Sequence, residues 1–262
     1  MDTPPVLEVI DVTKRFGGVV AVEKASLRVF SQEIVGLVGG NGAGKSTLIK
    51  MISGAVPRDE GELRIAGKTI DVRTPMDAKD HGIETVYQEL ALIDGLDVAA
   101  NIFLGRELRR NILGVNWLDE ARMRSRTREL LDRLKVNLDA RKLSKELSGG
   151  QRQAVALTRA IHFEAKVILM DEPTAALGVQ ETSRTLDQIR RFRDHGASLL
   201  VVSHDLEDIF EITDRIVVMK SGRVVGERPT KSTTPKDIVG LMMMGDESKY
   251  GGGNGGGRPE EA

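Results

Sequence analysis

Two glycine-bearing stretches of this chain carry the residue types that hold anions: GGNGAGKST at 39–47 and LSGGQRQ at 147–153. In the first, Gly39, four further residues and then Gly44-Lys45-Ser46 make the P-loop pattern, with an apolar run leading in and a helical run leading out. Its chemistry is phosphate binding. The glycines let the backbone wrap a β-phosphate, Lys45 reaches the β and γ oxygens, and the Ser46 hydroxyl is placed to ligate Mg²⁺. Asn41, Gly42, Ala43 and Thr47 complete the cradle. In the second stretch, Ser148, Gly149, Gly150 and Gln151 stand where a helical run begins, and bare N–H groups at such a start also favour an anion.

A P-loop needs a further carboxylate for its metal. VILMDE supplies Asp171 at the C-terminal end of a buried-strand pattern, where ligands of open α/β sheets gather. Glu172 follows directly and is placed to orient or deprotonate an attacking water. Gln88 closes the strand-like IETVYQ and is expected at the metal or the water, while His204 closes LLVVSH and is expected at the γ-phosphate. His81, His162 and His195 fall outside this pattern and read as structural or surface residues.

Elements of two kinds must hold these groups. Leu27 and Val29 flank Arg28, and Leu63 and Ile65 interleave with Glu62 and Arg64, the alternation of half-buried strands in a small antiparallel sheet. EIVGLVGG, KVILMD, LLVVSH and IVVMK are instead near-continuous apolar runs, as buried parallel strands are. Helical segments such as Lys45–Ser53 and Glu181–Asp194 separate them, which predicts an open, mainly parallel, doubly wound α/β sheet. From Leu90 to Phe163 the texture reads as helical, with Leu130, Leu131 and Leu134 at helix spacing. The expected organisation is a nucleotide-binding core with its antiparallel β subdomain at 1–88 and 165–245, a helical subdomain bearing LSGGQ at 89–164, and a disordered glycine-rich tail at 246–262.

Composition narrows the partners. Lysine plus arginine number 38 against 39 aspartates and glutamates, so no general attraction to nucleic acid is expected. Arg122, Arg124, Arg126 and Arg128 spread around a helix among Asp119, Glu120, Glu129 and Asp132 and read as a solvated face. There is no cysteine, which excludes disulfides and thiol metal sites. No basic leader with an apolar core and no membrane-length apolar run is found, so contact with a membrane is expected only through a partner.

The P-loop, Gln88, LSGGQ, Asp171-Glu172 and His204, in this order and at these separations, resemble the nucleotide-binding subunit of ATP-binding-cassette transporters, over about Leu7 to Met244. The resemblance implies an ATPase using ATP and Mg²⁺, with Ser46, Gln88 and Asp171 at the metal and Glu172, His204 and Gln88 in catalysis. It also implies a head-to-tail homodimer in which LSGGQ faces the γ-phosphate held by the other copy's P-loop. Phe16, in TKRFGG, matches the family's adenine-stacking aromatic. ETVYQELALIDGLDVAANIFLGREL and DEPTAALG are similar to monosaccharide-importer ATPases, in their single-cassette branch. Membrane-spanning permease subunits, a sugar-binding protein beyond them and a place on the cytoplasmic side of the membrane follow from that likeness. Two positions depart from the family pattern: Gly40 stands where glutamate is common, and Gly178 where many cassettes carry an aspartate linking the two sites. A soluble cassette acting on nucleic acid or the translation machinery is the alternative. A non-hydrolysing cassette is disfavoured, because Glu172, His204 and Ser148 are all present.

Overall fold

Along the central strands the buried side chains alternate, and the two sets go to opposite faces of one sheet. In a computed structural model, residues 4–86, 92–112, 114–163, 165–175 and 177–245 are described. The chain begins with strands β1 (Leu7–Phe16), β2 (Val19–Val29) and β3 (Ile34–Val38), helix α1 (Lys45–Ile52), strands β4 (Glu60–Ile65) and β5 (Lys68–Ile70), helix α2 (Pro75–Asp80) and strand β6 (Ile83–Val86). Helix α3 (Val98–Ile102), strands β7 (Arg109–Ile112) and β8 (Val115–Leu118), and helices α4 (Glu120–Arg133) and α5 (Gly149–His162) follow. The remainder is β9 (Val167–Asp171), α6 (Val179–Asp194), β10 (Ser198–Val202), α7 (Leu206–Ile212), β11 (Arg215–Lys220), β12 (Arg223–Pro229) and α8 (Pro235–Met244).

The main sheet has the order β12-β11-β3-β10-β9-β6 and is parallel except for β12, as the apolar runs predict. Val35, Leu37, Leu169, Val202 and Val217 face a core shared with α1 and with the antiparallel sheet β2-β1-β4-β5. Ile34, Val38, Ile168, Val201 and Val218 face the other way, onto α5, α6, α7 and α8. Both faces of the sheet are therefore covered, which is why its central strands β3, β10 and β9 carry almost no polar residue. A third apolar cluster joins Ile102 and Phe103 to Met123 and Leu131 of α4 and to Leu147 and Val155 around the start of α5.

The expectation of helix throughout 90–163 is corrected at 109–118, where β7 and β8 pair as an antiparallel hairpin, Arg110 opposite Trp117 and Ile112 opposite Val115. Every residue of β8 is exposed, so neither strand face leaves an alternating signature in the sequence. On α4, Arg124 pairs with Asp97 at 3.0 Å and with Glu120 at 3.2 Å, consistent with a solvated helix face. Gln88 and the tail at 246–262 lie outside the described residues. Among the described residues, no helix is long and apolar enough to cross a membrane.

Candidate active site

The loop after β3 needs glycine at two places for steric reasons. Gly44 caps α1 with φ 100°, and a Cβ there would lie 2.6 Å from the Ala21 carbonyl oxygen; at Gly39 it would lie 2.3 Å from that of Met219. The Gly222 N–H donates to the Ala43 carbonyl at 3.0 Å, and the Glu23 N–H donates to the Gly222 carbonyl at 2.8 Å. The β11–β12 turn and β2 thus fix the loop from one side. No side chain caps α1 and no acid stands in its first turn, so its first N–H groups remain for a phosphate. The buried Lys45 reaches back along the loop, its ammonium donating to the carbonyls of Gly39 at 2.7 Å and Gly40 at 3.2 Å. Burial lowers its pKa, and the charges of Glu172 and Asp171 push the other way. Asn41, Gly42 and Ser46 are exposed, Thr47 half-buried, and Ala43 buried.

Parallel register brings the other strand ends alongside. Val202 pairs with Leu37 on one side and with Asp171 on the other, so β3, β10 and β9 finish together. The Asp171 Oδ1 is buried and has no hydrogen-bond partner among the described residues. Burial, reinforced by the Glu172 charge, pushes the Asp171 carboxyl up, while Lys50 and Lys45 pull it down. Glu172 adopts φ 53°, a left-handed conformation that costs a non-glycine residue on the order of 1–3 kcal/mol. Its N–H donates to the Val202 carbonyl at 2.9 Å, which turns the side chain out of the strand end. Its Oε2 lies 2.7 Å from His204 Nδ1. That contact favours the tautomer with the proton on Nδ1, leaving Nε2 of the neutral ring as an acceptor.

The second anion site is a helix start of its own. Ser148 caps α5 in a capping box: its Oγ accepts from the Gln151 N–H at 3.4 Å, and its own N–H donates to Gln151 Oε1 at 3.1 Å. Ser148 and Gly149 are exposed, and the Gly149 and Gly150 N–H groups are the donors the box leaves uncapped. Among the described residues no hydrogen bond joins this helix start to the phosphate loop. Helix α1 packs on β2 and β9, whereas α5 packs on α3, α4, α6 and β6. Phe16 ends β1 with 48% of its surface exposed, its ring 5.5 Å from Lys14 Nζ, so it is not a core residue. The structure thus gathers the phosphate loop, Asp171, Glu172 and His204 and leaves Ser148–Gln151 outside that group.

Two polar arrangements carry no sequence motif. Thr174, two residues beyond Glu172, donates its hydroxyl to Asp208 of α7 at 2.6 Å. Burial pushes the Asp208 carboxyl up, the Thr174 hydrogen bond pulls it down, and the charges of Asp205, Glu211 and Glu207 add to the rise. Asn101 of α3, fully buried, accepts from the Ile93 N–H at 2.8 Å and donates to Ile93, Leu96 and Asp97 carbonyls and to Ser144 Oγ at 2.8 Å. Arg152 of α5 reinforces the same tie, reaching Asp94 at 2.6 Å and the Ser144 carbonyl at 3.1 Å. The 93–97 segment is thereby fastened to the segment that leads into Ser148. Asn101→Ala leaves several buried polar groups unpaired, each costing about 1–3 kcal/mol. A urea melt is expected to show a stability loss of at least that size, with α3 losing amide-exchange protection first.

An uncapped helix start below a P-loop, a strand-end Asp-Glu pair and a histidine just beyond the end of the neighbouring strand define a nucleoside-triphosphatase of the P-loop class. The family model described as ABC transporter matches residues 22–175. The fructose import ATP-binding protein FrcA of Rhizobium meliloti is 44% identical over 252 residues, 94% of this chain and 97% of that protein. The xylose/arabinose import ATP-binding protein XylG of Sulfolobus acidocaldarius is 43% identical over 237 residues, 90% of this chain and 93% of that protein. A solved dimeric cassette, in a post-hydrolysis state bound to ADP and Pi, superposes with a TM-score of 0.68 at 25% identity, covering 87% of this chain and 100% of that one. The chain belongs to the ABC transporter family, and it is an ATPase of the cassette type.

The residues present fit Mg²⁺ as well as ATP. The orphaned, buried Asp171 oxygen is a hard ligand without a partner, beside the exposed Ser46 hydroxyl's helix. Among the described residues no group of three or more His, Cys, Asp or Glu is placed to hold a metal ion by itself. A cation here would therefore take the rest of its ligands from phosphate and water, as Mg²⁺ does.

Proposed function

We propose that this chain powers a monosaccharide importer by hydrolysing ATP between two copies of itself, arranged head to tail. The observation that carries this reading is the exposed, capped start of α5 at Ser148, a second anion site with, among the described residues, no hydrogen bond to its own chain's phosphate loop. In a twofold pair, each such helix start completes the other chain's site, and two ATP molecules are buried between them. Phe16 stacks on the adenine, and the loop from Gly39 to Thr47 holds the phosphates. Glu172 poises water for in-line attack, and His204, held through Nδ1, offers its free Nε2 side to the γ-phosphate region. Lys45 and the partner copy's Ser148, Gly149, Gly150 and Gln151 stabilise the charge that develops. Ser46 and Asp171, with Gln88 assigned beside them, would hold Mg²⁺, which would supply positive charge to the site.

The sugar assignment rests on the relatives, whose names give fructose and xylose/arabinose import. Membrane-spanning permease subunits and a sugar-binding protein beyond them are the partners, which puts the chain at the cytoplasmic face of a membrane. Reconstituted with the permease that copurifies with it, the chain is expected to hydrolyse ATP faster when a monosaccharide and its binding protein are added. Hydrolysis indifferent to every sugar and membrane subunit would favour the soluble-cassette alternative.

The raised Asp171 carboxyl gives a pH test. A metal ligand must be ionised, so acidification weakens Mg²⁺-dependent ATP binding starting from a pH above the ordinary carboxylate range. The sign for folding is opposite: the folded state holds this proton more tightly than the unfolded chain, so the stability penalty of the ionised group starts to shrink as pH falls through the raised value and is gone below the ordinary carboxylate range. Titrating Mg²⁺-ATP affinity against pH for wild type and Asp171→Asn checks this. The variant is expected to bind weakly with a flatter profile, and an identical pH dependence in both would remove Asp171 from the metal site.

A further inference from the structure

Two loops must stay in register for the Glu172–His204 contact to exist, and one of them is strained. Glu172 sits at φ 53° immediately after β9, and the chain then turns through Thr174, with the Ala175 N–H donating to the Glu172 carbonyl at 3.2 Å and Leu177 to that of Thr174 at 3.2 Å. His204 lies just before α7, whose N-cap Asp205 accepts from the N–H groups of Glu207 and Asp208. Between these two segments the structure draws two rungs. One is His204 Nδ1 to Glu172 Oε2 at 2.7 Å; the other, one helical turn further on, is Thr174 Oγ1 to Asp208 Oδ2 at 2.6 Å.

We infer that Thr174 and Asp208 form a positioning pair that sets the Glu172 carboxylate for reaction by bracing its loop against α7. Neither side chain touches nucleotide in this account; each acts through Glu172. His204 is largely exposed, so although its bond to the Glu172 carboxylate is charge-assisted, water competes with it. The Thr174–Asp208 bond also ends on a carboxylate but is part-buried, so water competes with it less. It is therefore the rung that keeps a left-handed glutamate from relaxing back along the strand. Loss of the Thr174 hydroxyl frees the loop that carries Glu172. A reacting group displaced by about 1 Å forfeits up to about a hundredfold in rate.

The inference rests on the ATPase reading for its kinetic arm but not for its spectroscopic one. Thr174→Val keeps the side-chain shape and removes the donor; Asp208→Leu removes the acceptor; Thr174→Ser restores a hydroxyl. In wild-type chain without nucleotide, nitrogen NMR of the His204 ring, identified by loss of its signals in His204→Gln, is expected to show a protonated Nδ1. Thr174→Val and Asp208→Leu are expected to shift that tautomer toward Nε2–H and to lower kcat for ATP by about tenfold to a hundredfold with KM little changed. Thr174→Ser is expected to recover both, and the double variant to be no worse than either single one. Should Thr174→Val fail to fold, Asp208→Leu carries the same two measurements. Wild-type kcat with an unmoved His204 signature in a folded Thr174→Val or Asp208→Leu chain overturns the inference. So does an equal drop in Thr174→Ser. A wild-type chain that does not hydrolyse ATP would defeat the functional reading while the NMR arm still decides the brace.

Discussion

Glu172→Gln slows ATP turnover by about a hundredfold to ten-thousandfold, on the order of 3 to 5 kcal/mol of barrier, and leaves ATP affinity close to wild type. The asymmetry follows from where the carboxylate sits. Glu172 is turned out of the strand end by its φ of 53° and is held by His204, whereas the binding groups belong to the loop after β3. The amide keeps the size and one acceptor oxygen but cannot take a proton from water. Bound ATP then accumulates between the two chains, and light scattering is expected to find a dimer that forms with ATP and is absent without it. Near-normal hydrolysis by the variant would remove Glu172 from its assigned role, and a dimer mass independent of ATP would count against ATP-driven pairing. In the reconstituted importer the trapped pair is expected to hold the membrane subunits in one conformation and stop uptake.

The legible part of this molecule is the part whose chemistry is local in sequence. The P-loop, Asp171-Glu172 and His204 each sit at the end of an apolar run, and Ser148 at the head of a helical one, so their elements could be placed from neighbouring residues alone. The doubly wound sheet was readable for the same reason: a strand covered on both faces, such as Ile34–Val38, is apolar at every position. The hairpin at 109–118 was not, because exposed strands record no alternation. Nor were the Asn101 hub and the Thr174–Asp208 bond. Asn101 reaches Ser144, 43 residues away, and Thr174 reaches Asp208, 34 residues away, and a serviceable Asn or Thr looks the same in sequence whether or not it is bonded. The left-handed Glu172 also leaves no trace, since nothing in DEPT departs from an ordinary strand end. Phe16, the proposed adenine platform, has an exposed ring at the end of β1 with the Lys14 ammonium 5.5 Å from its centroid.

The second large effect separates the two anion sites. Lys45→Ala removes the buried ammonium of the phosphate loop, and charge-assisted bonds of this kind are worth about 1.5–3 kcal/mol each, so the chain is expected to lose measurable ATP binding. Ser148→Arg acts elsewhere. It forfeits the capping bond to Gln151, a loss of about 1 kcal/mol in helix stability, and puts a long cation where two exposed N–H groups would meet the partner's phosphate. Binding of ATP by the single chain is expected to stay near wild type while turnover disappears. Isothermal titration of each variant gives the comparison, and a Ser148→Arg chain unable to bind ATP at all would mean that both sites serve one chain.

The most direct measurement joins one Lys45→Ala copy to one Ser148→Arg copy in a single tandem chain, which forces the two to meet at high effective concentration. If each site is shared between copies, the intact phosphate loop of one faces the intact Ser148 of the other, and the tandem is predicted to hydrolyse ATP at roughly half the rate of a wild-type tandem. Tandems carrying either substitution in both copies are predicted to be inactive. A mixed tandem as inactive as these two would contradict the shared site.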